Sequence, residues 1–182
     1  VNPDQIITEL GLPLFVKPNA SGSSFGVTKV KTPEELLPAI QEAFKESDQV
    51  LMEEFIEGRE ISCGVMIAEG KEYVFPITEL VSQKEFFDYE AKYQGLSHEI
   101  TPADLPEAVR KEVNRLTLIA YKRLNCRGVV RIDFIIKGET PYMIEINTIP
   151  GMSSHSIIPQ QAAAMGMSLT ELFNLVIAET SK

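Results

Sequence analysis

The chain has 182 residues and a formal net charge of −9, with 44% apolar and 24% charged residues, as in an ordinary globular domain. The acidic balance argues against a nucleic-acid partner, because phosphate backbones select a basic surface. No apolar run reaches bilayer length and no signal-peptide pattern opens the chain, so we expect a cytoplasmic protein without a membrane partner. Cys63 and Cys126 suffice for neither a disulfide framework nor a metal cage, and we expect two buried free thiols.

The first third of the chain predicts a short helix, a strand pair and a second helix. The chain starts at Val1 without an initiator methionine, which suggests a piece of a longer protein. The runs Leu12–Pro18 and Val27–Val30 flank a stretch of glycine and serine, which predicts the tip of a hairpin. The capping box Thr32–Glu35, with proline at the first helical position, predicts a helix to about Ser47.

The middle of the chain predicts strands separated by short turns. Strand-like runs cover Gln49–Phe55, Glu60–Ile67 and Tyr73–Thr78. From Val81 to Thr101 no clean period remains. We expect residues 83–98 to form a lid or binding loop, because structureless segments of this length inside a compact domain are usually functional or disordered.

The last third predicts two further helices around a strand pair. One helix runs from Pro106 to Leu124, and a capping box at Ser168–Glu171 starts a terminal helix to about Glu179. Mostly antiparallel strands with helices inserted between pairs of them predict an α+β fold.

Two adjacent strands carry the most informative polar residues. Because side chains alternate along a strand, Arg131 and Asp133 share one face of the first strand, and Glu145 and Asn147 share one face of the second. A hairpin turn at Lys137–Thr140 would bring all four groups to one surface. Asp, Glu and Asn oxygens suit Mg²⁺, and a neighbouring arginine can hold the anion that accompanies the metal. A half-solvated strand pair without chemistry is the alternative.

A second set of residues suggests an anionic nucleotide. Lys17 precedes the Gly/Ser-rich hairpin tip, whose backbone N–H groups and hydroxyls can donate to phosphate oxygens. The glycine spacings of a Walker loop and of a dinucleotide fingerprint are absent. The segment Glu53–Glu60 ends one strand and begins another, where backbone groups can pair with an adenine edge and an acid with ribose hydroxyls. A solvated acidic turn is the alternative for this segment.

Taken in order, these pieces resemble D-alanine–D-alanine ligases, which are ATP-grasp enzymes of peptidoglycan synthesis. The resemblance covers the chain from about Gly11, and its most specific parts are Asp88–Tyr93 and Pro150–Ser156. It implies an ATP-grasp fold with two small antiparallel-sheet lobes and helices that enclose a nucleotide cleft. Residues 1–58 would be a partial central subdomain, and residues 59–182 would be the C-terminal subdomain with the metal site and the lid loop 83–98.

The resemblance also implies a role for each matched residue. The residues that it implies for ATP are Lys17, Lys92, Gly22, Ser23, Ser24, Glu53, the backbone of Glu54, Phe55 and Ile56, and Glu60 on the ribose. Two Mg²⁺ or Mn²⁺ ions would bind Asp133, Glu145 and Asn147. Ser23 and Tyr93 would contact the first D-alanine, while Ser156 and the Ile157 backbone would hold the carboxylate of the second. Arg131 and the Gly151 N–H would stabilise the oxyanion.

The resemblance implies an acyl-phosphate mechanism with small-molecule substrates and a homodimeric parent protein. Because the family's N-terminal domain is not in the sequence, we expect this chain alone to be inactive. Two alternatives stay open: a D-alanyl-D-lactate type of depsipeptide ligase, and a nucleotide-binding module without catalysis.

Overall fold

A computed structural model describes residues 2–22, 24–82 and 97–180. The helices are α1 (Pro3–Leu10), α2 (Pro33–Ala43), α3 (Glu107–Arg123), α4 (Ile157–Ala164) and α5 (Leu169–Thr180). The strands are β1 (Leu14–Pro18), β2 (Thr28–Val30), β3 (Val50–Glu54), β4 (Arg59–Ala68), β5 (Lys71–Val74), β6 (Thr78–Ser82), β7 (Ser97–Ile100), β8 (Val130–Lys137) and β9 (Thr140–Asn147). Helices and antiparallel strands alternate as expected, so the α+β prediction is confirmed.

The described residues up to Ile56 form one compact unit around an antiparallel sheet with strand order β2-β1-β3. Leu14 and Val16 of β1 face α2 and are fully buried, whereas Phe15 and Lys17 alternate to the other face. The predicted hairpin is present, since β1 pairs with β2 across the Gly/Ser stretch. We call this other face the polar face of the sheet; Lys17 and Glu53, two of the residues predicted to bind ATP, lie on it.

The described residues from Glu57 onward form a second unit around a sheet with strand order β7-β6-β4-β8-β9, and β5 pairs with β4. One face packs against α3 through the core side chains Ile61, Ile132 and Phe134, all fully buried. Burial of side chains of this size contributes about 1.5–3 kcal/mol each. The other face is covered in part by α4 and α5 around Phe75 and Ile158.

Both predicted capping boxes are present. The Glu35 carboxylate accepts from the backbone N–H of Thr32 (3.4 Å), and Glu171 accepts from the N–H of Ser168 (2.7 Å). Helix α2 ends at Ala43 rather than near Ser47, because turns follow directly. Gly138 begins the two-residue turn between β8 and β9 with a φ of +64°, a conformation that glycine adopts without strain.

Several elements differ from the sequence expectations. Residues 83–96 of the predicted lid loop 83–98 lie outside the described residues, and its last two residues instead begin β7. The sequence of β7, Ser-His-Glu-Ile, has no apolar alternation, and this strand pairs with β6 through its backbone. Helix α4 was missed because most of its side chains are buried, so it lacks an amphipathic period. The predicted strand Tyr73–Thr78 is instead the end of β5 and the first residue of β6. Cys63 is buried as expected, but Cys126 is only half-buried.

No helix within residues 2–22, 24–82 and 97–180 is both long enough and apolar enough to cross a membrane. The two units meet in sequence at Ile56 and Glu57, two residues before the boundary that the sequence suggested.

Candidate functional site

The Asp133 carboxylate lies at the centre of a hydrogen-bonded cluster on the polar face of the second sheet. Arg131 donates to it from Nε to Oδ1 (2.9 Å) and from Nη2 to Oδ2 (2.8 Å). Ser62 of β4 donates to Oδ1, and Asn147 of β9 donates from Nδ2 to Oδ2 (3.0 Å). The register places Asp133 opposite both Ser62 and Glu145, so three strands contribute to one cluster.

Asn147 links the two carboxylates of this cluster. Its Nδ2 reaches Asp133 and also lies 3.3 Å from Glu145 Oε1. A single amide donor between two carboxylates occupies a position that suits a cation, and the same amide offers an oxygen ligand when it is rotated. The oxygen-only donor set therefore fits Mg²⁺ or Mn²⁺. The part of the chain that the structure describes contains no group of three His, Cys, Asp or Glu side chains that could hold a metal. The cluster described here has only two carboxylates, and its third ligand would be the amide of Asn147.

The surroundings of Arg131 favour its charged form. Burial alone would lower its pKa, but the hydrogen bond to Asp133 and the charges of Asp133, Glu145 and Glu60 outweigh burial and raise the pKa. The side chains of Arg131 and Asp133 are only 22% and 10% exposed. In such shielded surroundings a guanidinium acts more strongly on a nearby anion than it would in bulk water.

Glu60, predicted for the ribose, lies on β4 opposite Ile135. Because Ile135 follows Asp133 by two residues, Glu60 is on the same sheet face as Ser62 and Asp133. Its charge contributes to the raised pKa of Arg131. The structure thus brings Glu60 to the same face as the predicted metal ligands.

The loop after β9 leads into the N-terminus of α4. Ser156 is the N-cap residue and Ile157 is the first helical residue. Ser156 Oγ accepts a hydrogen bond from Ser153 N (3.1 Å) and lies 2.8 Å from Ser153 Oγ. A Cβ added to Gly151 would lie 2.8 Å from Ser156 Oγ, so a larger residue here would displace that hydroxyl. The three sequence-predicted residues of this loop are therefore close together.

In the first unit, Lys17 of β1 and Glu53 of β3 form an ion pair of 2.5 Å on the polar face of the sheet. Their side chains are 23% and 40% exposed. Because Glu53 pairs in register with Phe15, it stands diagonally across from Lys17. The structure thus brings together two residues that the sequence analysis assigned to different parts of ATP.

The segment after β3 begins with Phe55, which is held by a backbone hydrogen bond and by contacts of its ring. The Phe55 N–H donates to Pro13 O (3.3 Å), and the ring lies 5.9 Å from the ring of Phe15. Lys29 Nζ lies 3.7 Å from the centre of the Phe55 ring. Glu54 is exposed and Ile56 is half-buried at the end of the unit.

The Gly/Ser loop is a succession of tight turns where it is described. Phe25 N donates to Gly22 O (3.2 Å), and Val27 N donates to Ser24 O (3.3 Å). Ser24 has a φ of +60°. The remaining predicted site residues, Ser23, Lys92 and Tyr93, lie outside the described residues.

Two residues of the cluster were missed by sequence reasoning. Ser62 alternates with core residues and shares a face with Glu60, so the period of two could have suggested it. Gln161 of α4 is fully buried, and nothing in the sequence around it indicates that it contacts the cluster. Its Nε2 donates to Ser62 O (2.9 Å) and to Thr78 Oγ1 (3.0 Å), and its Oε1 accepts from Gly64 N (3.0 Å). Gln161 thus ties α4 to the strand that carries Ser62.

The close approach of α4 to the sheet depends on a glycine. A Cβ on Gly64 would lie 2.6 Å from Gln161 Oε1 and 2.6 Å from Ile158 Cδ1. Any larger residue would force the side chains of Gln161 and Ile158 to move and would disturb the packing of α4 on the sheet.

The chain is similar to known proteins over almost its whole length. The family model for the D-ala D-ala ligase C-terminus matches residues 2–178. A D-alanine–D-alanine ligase from Phocaeicola vulgatus is 53% identical over 178 residues, which are 97% of this chain and 55% of the relative. The chain therefore spans little more than half the length of the curated relatives it matches.

The chain is also similar to solved structures of related ligases. The D-alanine–D-alanine ligase from Bacillus anthracis complexed with ATP superposes with a TM-score of 0.82 at 32% identity, over 100% of this chain and 56% of that one. VanG D-Ala:D-Ser ligase from Enterococcus faecalis gives a TM-score of 0.83 at 34% identity, over 96% of this chain and 51% of the other. These likenesses confirm the fold expected from the sequence.

Proposed function

Because the chain belongs to the D-ala D-ala ligase C-terminus family, we propose that the complete protein joins two D-alanine molecules into D-alanyl-D-alanine while ATP is converted to ADP and phosphate. The dipeptide would serve the synthesis of peptidoglycan precursors. The observation that carries the proposal is the cluster of Arg131, Asp133, Glu145 and Asn147 on one sheet face.

The proposed reaction has two steps. The carboxylate of the first D-alanine attacks the γ-phosphorus of ATP, which forms an acyl phosphate and releases ADP. The amine of the second D-alanine then attacks the acyl carbon, loses a proton, and phosphate leaves as the peptide bond forms. Such a reaction depends mostly on alignment and on neutralisation of charge.

We assign the nucleotide contacts in the first unit to residues around its polar sheet face. Lys17 would bind a phosphate, and Glu53 and the backbone of residues 54–56 would hold adenine. Support comes from the β1–β3 register, which puts both side chains on one face, and from the ion pair between Lys17 and Glu53. Because the Lys17 ammonium has three donors, it can contact Glu53 and a phosphate oxygen at the same time. The loop of Gly22, Ser23 and Ser24 would close over the phosphates, and Lys92 would also contact them.

In the second unit, Asp133, Glu145 and Asn147 would hold two Mg²⁺ or Mn²⁺ ions, and Glu60 would bind the ribose. Bound divalent ions would supply Lewis-acid neutralisation of the phosphate charge. Arg131 would add a fixed positive charge at the oxyanion, since its pKa is raised and Asp133 holds its plane. Gly151 would donate its N–H to the same oxyanion.

The substrates would bind at the loop that caps α4. The Ser156 hydroxyl and the Ile157 N–H would hold the carboxylate of the second D-alanine, because free N–H groups and the positive end of the dipole at a helix N-terminus favour an anion. Ser23 and Tyr93 would contact the first D-alanine. We likewise assign the two units to the central and C-terminal ATP-grasp subdomains.

Three further points belong to the proposal. The complete protein would be a homodimer, which light scattering would test. It would act in the cytoplasm, where ATP is available, and its partners would be small molecules. The net charge of −9 supports the absence of a nucleic-acid partner.

The test is an assay of the complete protein with ATP, MgCl₂ and D-alanine. We expect ADP release that depends on D-alanine, and D-alanyl-D-alanine by mass spectrometry. Parallel reactions with D-lactate or D-serine added would reveal a depsipeptide or a mixed dipeptide, and a dominant product of that kind would replace the proposed substrate. Mg-ATP binding by calorimetry without any product would instead favour a binding module.

A further inference from the structure

We propose that Ser153 is a positioning residue that turns the hydroxyl proton of Ser156 toward the carboxylate of the second substrate. The inference rests on the proposed function, since it deepens the assignment of Ser156. Ser153 itself need not touch the substrate, because its hydrogen bonds act on Ser156.

The argument begins with the capacity of a serine hydroxyl, which has one proton to donate and two lone pairs that accept. Ser153 N donates to Ser156 Oγ at 3.1 Å and fills one lone pair. The two hydroxyl oxygens lie 2.8 Å apart, and either one can be the donor in this contact. The direction of that second bond decides what Ser156 can still do.

A substrate carboxylate can only accept hydrogen bonds. When it binds Ser156, the single Ser156 proton must point at it, and the proton between the two hydroxyls must then come from Ser153. In that arrangement both lone pairs of Ser156 Oγ are filled from Ser153. The Ser156 hydroxyl is then left as a donor only, which matches an anionic ligand.

The surrounding backbone keeps this arrangement in place. Ser156 N donates to Ser153 O at 2.9 Å, so the two residues are joined through both backbone and side chain. Gly151 leaves room beside Ser156 Oγ, because a Cβ at that position would lie 2.8 Å from it. Ser156 is the N-cap residue of α4, but its side chain makes no hydrogen bond with the helix backbone. Its hydroxyl therefore does not occupy the first N–H groups of the helix, which an anion would use together with the Ser156 proton.

Kinetics of the complete protein test the proposal. Ser153→Ala keeps the backbone donor and removes the hydroxyl, and because Ser153 is exposed we expect normal folding. We expect the KM for the second D-alanine to rise on the order of tenfold, the effect of about one hydrogen bond, while the KM values for ATP and for the first D-alanine stay unchanged. Ser153→Thr keeps a hydroxyl and should restore the KM. Ser154→Ala is the matched control, because Ser154 contacts His155 rather than Ser156.

A double-mutant cycle separates an action through Ser156 from an independent one. If Ser153 acts only by orienting Ser156, then Ser153→Ala adds nothing to Ser156→Ala. Additive effects, or a normal KM in Ser153→Ala beside an impaired Ser156→Ala, would overturn the inference and leave the proposed function intact. A normal KM for the second D-alanine in Ser156→Ala would remove the substrate assignment of Ser156, and this inference with it.

Discussion

Arg131 binds the carboxylate of Asp133, its neighbour two residues along β8, through two parallel hydrogen bonds of 2.9 and 2.8 Å. Residues at this spacing share a strand face, and the planar guanidinium matches the two carboxylate oxygens. Because both side chains are mostly shielded from water, removal of one would leave the other charge poorly compensated. Arg131 thus neutralises a predicted metal ligand and orients its own charge at the same time.

We expect Arg131→Ala to lower kcat by about 100- to 1,000-fold, the typical effect of removing an oxyanion donor. Arg131→Lys should recover little of the lost kcat, because an ammonium cannot make the bidentate contact with Asp133. Steady-state ADP release measures both variants. Arg115→Ala is the control, since it removes an exposed arginine paired with Glu112 on α3. Near-normal turnover in Arg131→Ala would exclude its assigned role.

Asn147→Asp would place a third carboxylate where an amide now donates to Asp133 and Glu145. We expect a loss of about 1–3 kcal/mol in the free energy of unfolding without divalent ions, since two hydrogen bonds to charged groups become repulsive contacts. Added MgCl₂ or MnCl₂ should raise the melting temperature more in the variant than in the parent, because the ion meets more negative charge. Asn125→Asp carries the same charge change outside the cluster. Identical metal responses in all three proteins would count against a cation site here.

Gln161→Leu would remove three hydrogen bonds from a fully buried position and leave the Gly64 N–H and the Ser62 carbonyl without this partner. We expect a loss of about 2–4 kcal/mol in the free energy of unfolding, measured by urea denaturation. Gln160→Leu is the matched control, because Gln160 is only half-buried and its amide bonds at the edge, to Glu99 and to the His155 carbonyl. Equal losses in the two variants would show that the buried hydrogen bonds of Gln161 contribute no more to stability than those of Gln160.

Cys63 gives a pH dependence with a defined sign. Burial raises the pKa of its thiol from 9.0 to about 12. Since the folded state favours the protonated thiol, its contribution to stability is complete below pH 9 and is lost as the pH rises from 9 toward 12. The free energy of unfolding should therefore fall more steeply between pH 8.5 and 10.5 (about the range accessible to denaturation experiments) in the parent than in Cys63→Ala. Parallel curves for the two proteins would contradict this.

Because Cys63 is buried and Cys126 is only half-buried, we expect the two thiols to differ in their rate of alkylation. At pH 8 iodoacetamide should modify the half-buried Cys126 in the folded protein and modify Cys63 only after unfolding, because the thiolate is the reactive form. Burial also raises the pKa of Cys126, so its reaction should be slower than that of a free thiol. Peptide mass spectrometry before and after addition of urea would measure both. Rapid labelling of Cys63 in the folded state would contradict its burial.

The features that could be predicted from the sequence depend on residues close together in the chain. The alternation that puts Arg131 and Asp133 on one face follows from the strand period, and the capping boxes at Thr32 and Ser168 follow from bonds that span three residues. The two-residue turn at Gly138 then brings Asn147 opposite Arg131. Local rules sufficed because each of these contacts is made within one element or one hairpin.

The tertiary structure decided the rest. Ser62 reaches Asp133 across 71 residues of sequence, and Gln161 reaches Ser62 across 99, so both contacts depend on the pairing of β4 with β8 and on the packing of α4. Neither the residue type nor a local period marks Gln161 as part of the cluster. The ion pair of Lys17 with Glu53 likewise depends on the β1–β3 register. Periodicity determines which face a side chain takes, but only the folded chain determines which distant group it meets there.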